Sequence, residues 1–275
     1  MARGILYIVG TPIGNLADLS PRAAEVIRTS HLLLCEDTRV TRKLLAHLGA
    51  DTPLESFHEY SEGSKMESAL SRIEQGESLG LVSDAGMPLL SDPGFPLVRE
   101  AASRGLRIEV IPGPFAASVA LVASGIAPAP FAFLGFLPRR ASERRAVFAR
   151  LPDLAMTAVF YESPHRILAT LEDLVSIAPE AEIAICRELT KLHEEVVRGI
   201  VPMVKADLEK RESIRGEIVL VVGPVAREEK TATPDQIREE FVRLRDSGMR
   251  RTDAVKVLAE RFSLSRRELY DMLSD

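Results

Sequence analysis

Residues 78–94 read SLGLVSDAGMPLLSDPG, an apolar run that opens into Ser83-Asp84-Ala85-Gly86 and, eight residues on, into Ser91-Asp92-Pro93-Gly94. A short uncharged run bounded by turn residues is a buried strand. In an open α/β sheet, the loop just past such a strand is where ligands bind. Glycines let backbone N–H groups converge on an anion, while aspartates accept hydrogen bonds from an ammonium group. The loop therefore suits a small ligand carrying both a carboxylate and an ammonium. A turn of purely structural purpose has no need of two acids in the same frame.

Working outward, 5–9 (ILYIV), 32–35 (LLLC) and 107–111 (RIEVI) repeat the strand pattern. Helical stretches lie between them: one after Ser20-Pro21, which reads as an N-cap followed by proline in the first turn, then 41–48, 65–75 and 96–104. Strands separated by helices need crossover connections, so residues 1–122 are expected to form an open, mostly parallel α/β domain. SGIAPAP (124–130) reads as a linker. Strand patterns return at 131–136, 157–162, 182–188, 194–199 and 217–223, with helices from Ser142, after Pro164 and after Pro202. The pair 182–188 and 194–199 is close enough for a hairpin, so 123–225 is expected to be a second α/β domain with a mixed sheet. In 226–275, Thr233 to Gln236 and Ser265 to Glu268 have capping-box spacing, and Gly248 stands where a helix would end. That pattern predicts a three-helix, helix-turn-helix-like tail, with a helical cap or a dimer contact as the alternative.

The 275 residues are 46% hydrophobic and 27% charged, ordinary values for a globular protein. No apolar run approaches the roughly 20 residues that span a bilayer. The opening MARGILYIVGTPIG breaks at Gly10, Thr11 and Pro12 like a strand and its turn, which argues against a signal peptide and for a cytoplasmic protein without a membrane partner. Cys35 and Cys186 form no CxxC pair, and histidines 31, 47, 58, 165 and 193 lack ligand spacing, so no metal is expected. Net charge is −5, yet Arg139, Arg140, Arg144, Arg145 and Arg150 cluster against the single acid Glu143. Local patches, not net charge, bind phosphates. The competing reading of the cluster is a solvated helix face.

Other charged strings also follow strands. Gly10 to Asn15 borders the expected crevice but lacks GxGxxG spacing, which removes the dinucleotide fingerprint and with it a dehydrogenase. Glu36-Asp37-Thr38-Arg39 is costly to bury unpaired, so it either knots into salt bridges or faces a cleft. Pro112-Gly113-Pro114 is a rigid turn; Phe160 to Arg166 and Arg187 to Lys191 end strands of the second domain. Such clusters in two domains point to one site between them.

Taken in order, GTPIGNL, CEDTRVTRKLL, SDAGMPLLSDPG, IPGPFA, FLGFLPR, FYESPHRI, RELTK and RGEIVLVVG resemble the ribosomal RNA small subunit methyltransferase I family over residues 4–224. The resemblance implies the two-domain tetrapyrrole-methylase fold and a homodimer, with S-adenosylmethionine held between the domains. It implies methyl transfer to the ribose 2′-oxygen of a cytidine in the decoding region of 16S rRNA. Carried onto this chain, it gives Thr11, Pro12, Ser83, Asp84, Ala85, Gly86, Pro114, Tyr161, Glu162 and Glu217 as cofactor-binding residues. Asp37 is the first choice for a proton acceptor and Glu188 the next, Glu162 also being available; Arg39, Lys191 and His165 would orient ribose or phosphate. Arg139, Arg140, Arg144 and Arg145 are expected to bind RNA. Met87 stands where the family usually has Thr, and Phe115 where it usually has a small residue. Rival readings are a small-molecule, tetrapyrrole-type methyltransferase and a non-catalytic RNA-binding factor of ribosome assembly.

Overall fold

The computed structural model describes residues 3–57, 62–226, 234–262 and 264–273. The chain separates into two compact units, Met1–Val225 and Ala226–Asp275.

The larger unit begins with β1 (Ile5–Val9), α1 (Pro21–Thr29), β2 (Leu32–Cys35), α2 (Thr38–Leu48), β3 (Leu54–Ser56), α3 (Glu62–Glu74), β4 (Leu79–Val82), α4 (Phe95–Ser103), β5 (Arg107–Ile111) and α5 (Ala116–Ser124). Five parallel strands pair in the order β3-β2-β4-β1-β5. β2 and β4 are buried at every residue, as strands covered on both faces must be. The local causes are legible: Ser20 accepts from Ala23 N–H at the head of α1, with Pro21 behind it, and Asp37 caps α2 through Arg39 N–H.

The chain continues through β6 (Phe131–Phe136), α6 (Ala141–Phe148), α7 (Leu151–Leu154), β7 (Thr157–Glu162), α8 (Ile167–Val175), β8 (Glu182–Arg187), β9 (Glu195–Ile200), α9 (Val201–Glu209) and β10 (Ile218–Val222). These strands form a second sheet in the order β6-β7-β10-β8-β9. It is mixed: β6 runs parallel to β7, whereas β10 is antiparallel to both neighbours and β8–β9 is an antiparallel hairpin. One face of the second sheet packs Phe160, Ile185 and Leu220 against Phe148, Leu171 and Val204. The other packs Val159, Ala184 and Val221 against Ala117, Ala120 and Leu121 of α5. The expected division at 122/123 therefore falls inside a helix whose buried side covers the second sheet.

Sequence patterning did not disclose β3, α5 or α7. AASVALVAS is apolar on every side, with Val122 80% exposed, so it has no helical period to read. The smaller unit holds α10 (Pro234–Asp246), α11 (Arg251–Phe262) and α12 (Arg266–Met272) around Ile237, Val255, Leu258 and Leu269. The Ser265/Glu268 capping box is formed, and Gly248 takes φ 88 after α10. Thr233 lies outside the described residues. Among the described residues, no helix is long and apolar enough to cross a membrane.

Candidate active site

The loops after β1, β4 and β5 lock together at the carboxyl end of the first sheet. Thr11 N–H donates to Gly86 O at 2.9 Å, and Gly86 N–H returns the bond to Thr11 O at 3.2 Å. Gly10 lies flat on Gly113: a Cβ on Gly10 would fall 2.6 Å from Gly113 N, which only glycine avoids. Gly86, at φ +89, adopts a backbone that L side chains rarely enter.

Two adjoining cavities, each of about 350 Å³, open beside this lock. Asp84, Gly86, Met87, Asp92, Phe115, Tyr161 and Glu217 belong to the wall of the first. Thr11, Pro12, Ser83, Val40, Lys43 and Lys191 belong to the wall of the second. Ile13, Asp84, Ala85 and Glu217 line both, so the two spaces share a partition that ends in carboxylates. An aromatic row closes one side: Phe115 meets Phe133 edge-on at 5.0 Å, Phe133 meets Tyr161 at 4.9 Å, and Tyr161 meets Phe136 at 5.3 Å.

The charges fall into two sets. Burial, with Asp37 close by, raises the Asp84 carboxyl above its ordinary value although Asp37 N–H donates to it at 3.2 Å. Asp92 is pushed up to about 6, first by burial and then by the Glu36 charge. Burial also lifts the Tyr161 phenol to about 12. The other set is held firmly ionised. Hydrogen bonds from Arg39 bring Asp37 down to about 2. Glu188 is lowered by Glu217 N–H at 2.9 Å and by Lys191 Nζ at 2.9 Å. Burial works against the Lys191 charge, but Glu188 and Glu217 outweigh it and raise the ammonium.

Several expected site residues therefore have other work. Arg144 is 5% exposed and donates through Nε to Asp173 at 2.8 Å; it is a buried structural cation and not an RNA contact. Arg145 also reaches Asp173, while Arg139 and Arg140 are exposed. Glu162 borders the first cavity, but its carboxylate is buried and accepts from Ser163 N–H and Thr170 Oγ1 while pairing with Arg166 at 3.1 Å. A carboxylate so tied is neither a ready proton acceptor nor a free ligand anchor. Asp37 and Glu188 line neither cavity and are stabilised as anions, which weakens them as bases. Each stands one hydrogen bond behind the shared partition, Asp37 behind Asp84 and Glu188 behind Glu217. Thr11 directs its hydroxyl to the Ser83 and Gly86 carbonyls, and Pro114 presents its own carbonyl near Gly86. Arg39 is 85% exposed on its side chain, and His165 is exposed outside both cavities.

Site residues that sequence reasoning did not single out are Asp92, Leu90, Phe136 and Leu189, all in the first cavity's wall. Asp92 carried a signal, the second Ser-Asp-x-Gly; Leu189 and Phe136 sat in quoted strings without chemistry to mark them. Met87 and Phe115, set apart in the sequence reading, also line this cavity. Apolar walls with carboxylates at one end fit an amphiphilic cation with a flat ring at the other end.

The family of tetrapyrrole (corrin/porphyrin) methylases matches residues 5–203. A ribosomal RNA small subunit methyltransferase I from Xylella fastidiosa is 42% identical over 97% of this chain and 98% of its own length. One from Synechocystis is 38% identical over 98% and 97%. Among solved structures, a diphthine synthase superposes with TM-score 0.62 at 13% identity, covering 82% of this chain and 92% of that one. A Thermus thermophilus uroporphyrin-III C-methyltransferase complexed with S-adenosyl homocysteine superposes with TM-score 0.54 at 19% identity, over 80% and 97%. With matches spanning both sheets, the chain belongs to the tetrapyrrole methylases and, within them, to the ribosomal RNA small subunit methyltransferase I family.

Proposed function

We propose that this protein transfers a methyl group from S-adenosylmethionine to the ribose 2′-hydroxyl of a cytidine in the decoding region of 16S rRNA. The observation that carries the proposal is the pair of cavities meeting at Asp84 and Glu217. The first has the apolar wall and carboxylates that a sulfonium-bearing amino acid and its adenine need. The second, bordered by Lys43 and Lys191, suits an anionic nucleotide. When bound, S-adenosylmethionine supplies an electrophilic methyl group on a positive sulfur.

This chain's own residues hold and align. The loop 83–86 offers backbone groups and the Asp84 carboxylate, with Tyr161 and Glu217 opposite. Thr11, Pro12 and Pro114 support the loop from behind. An in-line displacement draws most of its acceleration from such positioning. Asp37 and Glu188 serve as positioning residues, holding Asp84 and Glu217, and Lys191 and Arg39 orient ribose or phosphate. Exposed Arg139, Arg140 and Arg145 extend the phosphate contacts. In this reading the first sheet with α1–α4 and the second sheet with α5–α9 are the two methylase halves, 226–275 is an accessory helical module, and the protein acts in the cytoplasm as a homodimer on the small ribosomal subunit.

The test incubates the protein and labelled S-adenosylmethionine with 30S subunits and, separately, with free tetrapyrrole precursors. The expected product is 2′-O-methylcytidine, found by nuclease digestion and mass spectrometry of the 16S rRNA. Label in the tetrapyrrole identifies a small-molecule methyltransferase instead. RNA binding without label anywhere identifies a non-catalytic assembly factor.

A further inference from the structure

A polyanion that delivers one ribose to a cavity brings its neighbouring phosphates to the rim, and cations there fix its register. The wall of the second cavity holds two ammonium groups, Lys43 and Lys191. Lys191 Nζ already meets Glu188 and Glu217, each at 2.9 Å, so two carboxylates more than match its charge. Lys43 is exposed, and no ion pair among the described residues holds it. It reaches the cavity from α2, together with Val40, Thr41 and Leu44.

The helix α2 is sharply divided. Thr41, Leu44 and Leu45 are buried, whereas Arg39, Arg42, Lys43 and Ala46 are all exposed. The spacing i, i+3, i+4 and i+7 sets those four on one face. That face carries three cations, and residues 38–48 contain no Asp or Glu. Arg39 is offset by the N-cap Asp37, which accepts from its Nε at 3.0 Å and its Nη2 at 2.6 Å. Arg42, like Lys43, has no ion pair among the described residues. Like charges three and four residues apart weaken a helix, so the fold gains nothing from such a row. A merely solvated face mixes its signs. Elsewhere in this chain the signs are mixed: α9 pairs Lys205 with Glu209, and α10 pairs Arg238 with Asp235 and Arg243 with Glu240.

We propose that this face of α2 is a docking surface for the RNA backbone, an assignment that rests on the ribose-methylation reading above. Lys43 holds a phosphate beside the target nucleotide at the cavity wall, and Arg42 holds another on the solvent side of the same face. RNA is the occupant because Lys43 belongs at once to the basic face and to the wall of the cavity that receives the nucleotide. Charge on the strip is thereby continuous with the site, and the backbone lies along α2 while one nucleotide enters.

The experiment measures binding to 30S subunits between about 50 and about 200 mM salt, with methyl transfer as a function of 30S concentration and calorimetric cofactor affinity alongside. Wild type is compared with Arg42→Ala combined with Lys43→Ala, and with the charge-keeping pair Arg42→Lys and Lys43→Arg. Loss of two phosphate contacts should lower the slope of log affinity against log salt by about 1.4–1.8. Over that salt range, wild type should therefore lose roughly tenfold more affinity than the alanine variant. The alanine variant should show a raised KM for 30S subunits and the wild-type cofactor affinity, while the charge-keeping variant should retain the wild-type slope. An alanine variant with the wild-type slope overturns the assignment and leaves the face to solvent or to an acidic protein. A charge-keeping variant as weak as the alanine one also overturns it, because shape and not charge would then be read. So does a loss of RNA binding matched by an equal loss of cofactor affinity, since a docking surface acts on the RNA alone. Wild-type protein that methylates no RNA overturns the ribose-methylation reading, and this assignment with it, whereas wild-type methylation with an unaltered slope in the variant overturns this assignment only.

Discussion

The two sheets end in similar strings of charge but use them in opposite ways. At the first sheet Asp37 is paired with Arg39, but Asp84 and Asp92 sit in the cavity wall with their carboxyls raised by burial, and no ion pair among the described residues holds them. At the second, Glu162 is paired with Arg166, Glu188 with Lys191 and Asp173 with Arg144. An acid matched by a cation is held as part of the structure, whereas a half-buried acid without one is costly to keep ionised. The difference shows that a charged string at a strand end is open to a ligand only where the fold has not already given it a partner.

The comparison can be broken most severely at the second sheet. Arg144→Ala leaves the buried Asp173 with only the exposed Arg145, and Glu162→Ala takes the carboxylate from Arg166, which keeps the Leu137 and Pro138 carbonyls, and the acceptor from the buried Thr170 hydroxyl. Each is expected to destabilise the fold by about 3–5 kcal/mol, the scale for removing one member of a buried pair, as read by urea unfolding. A variant within about 1 kcal/mol of wild type, the scale of a surface pair, would show that these pairs are not structural.

At the first sheet the effect should appear in binding instead. Asp84→Ala is expected to weaken S-adenosylmethionine binding by about 1–3 kcal/mol, with little change in unfolding midpoint. Unchanged calorimetric affinity in the folded variant would remove Asp84 from the cofactor site.

The exposed arginines offer a finer test. Arg139→Ala combined with Arg140→Ala should weaken binding to 30S subunits and flatten the salt dependence by up to about 0.7–0.9 for each phosphate left without its arginine. Cofactor affinity should stay the same. An unaltered salt slope would make this end of α6 a plain solvated surface.

The smallest effect is a difference in pH dependence between two aspartates. Asp37, lowered from 3.8 to about 2 when folded, adds stability above pH 3.8 that is lost as pH falls through about 2. Asp92, raised from 3.8 to about 6, works the other way: its contribution falls as pH rises from 3.8 through about 6. Relative to wild type, Asp37→Asn should lose its deficit toward acid, while Asp92→Asn should gain stability as pH rises through that window. Parallel stability curves for the two variants would dissolve the distinction between paired and unpaired acids.

Much of this was legible from residue patterns. Alternating strands and helices gave the parallel first sheet, and close spacing of 182–188 and 194–199 gave the β8–β9 hairpin. What stayed hidden is pairing across long separations. No local pattern says that Arg144 meets Asp173, twenty-nine residues on, so an arginine cluster looked uniformly available. Likewise Asp37 and Asp84 read alike as acids after strands. Only the fold shows that Arg39 turns back onto Asp37 while Asp84 reaches the cavity. Asp92 was visible as a repeat of a motif, but its want of a counterion was not. The helix α5 escaped notice for a different reason, its uniform apolarity.

The meeting of Gly10 with Gly113 bears on how molecules come and go. Two backbones touching without side chains form a seam that nothing can part without pulling β1 from β5, and those strands are paired along their full length. Traffic must use another threshold. In the first cavity's apolar lining, Leu90 at 43% and Phe136 at 64% are large side chains open to water, and Phe136 follows an irregular step in the β6–β7 pairing where Gly135 takes φ +67. An opening on that side lies at the edge strand of the second sheet, with Phe136 as an aromatic doorpost beside it and the glycine seam closed opposite.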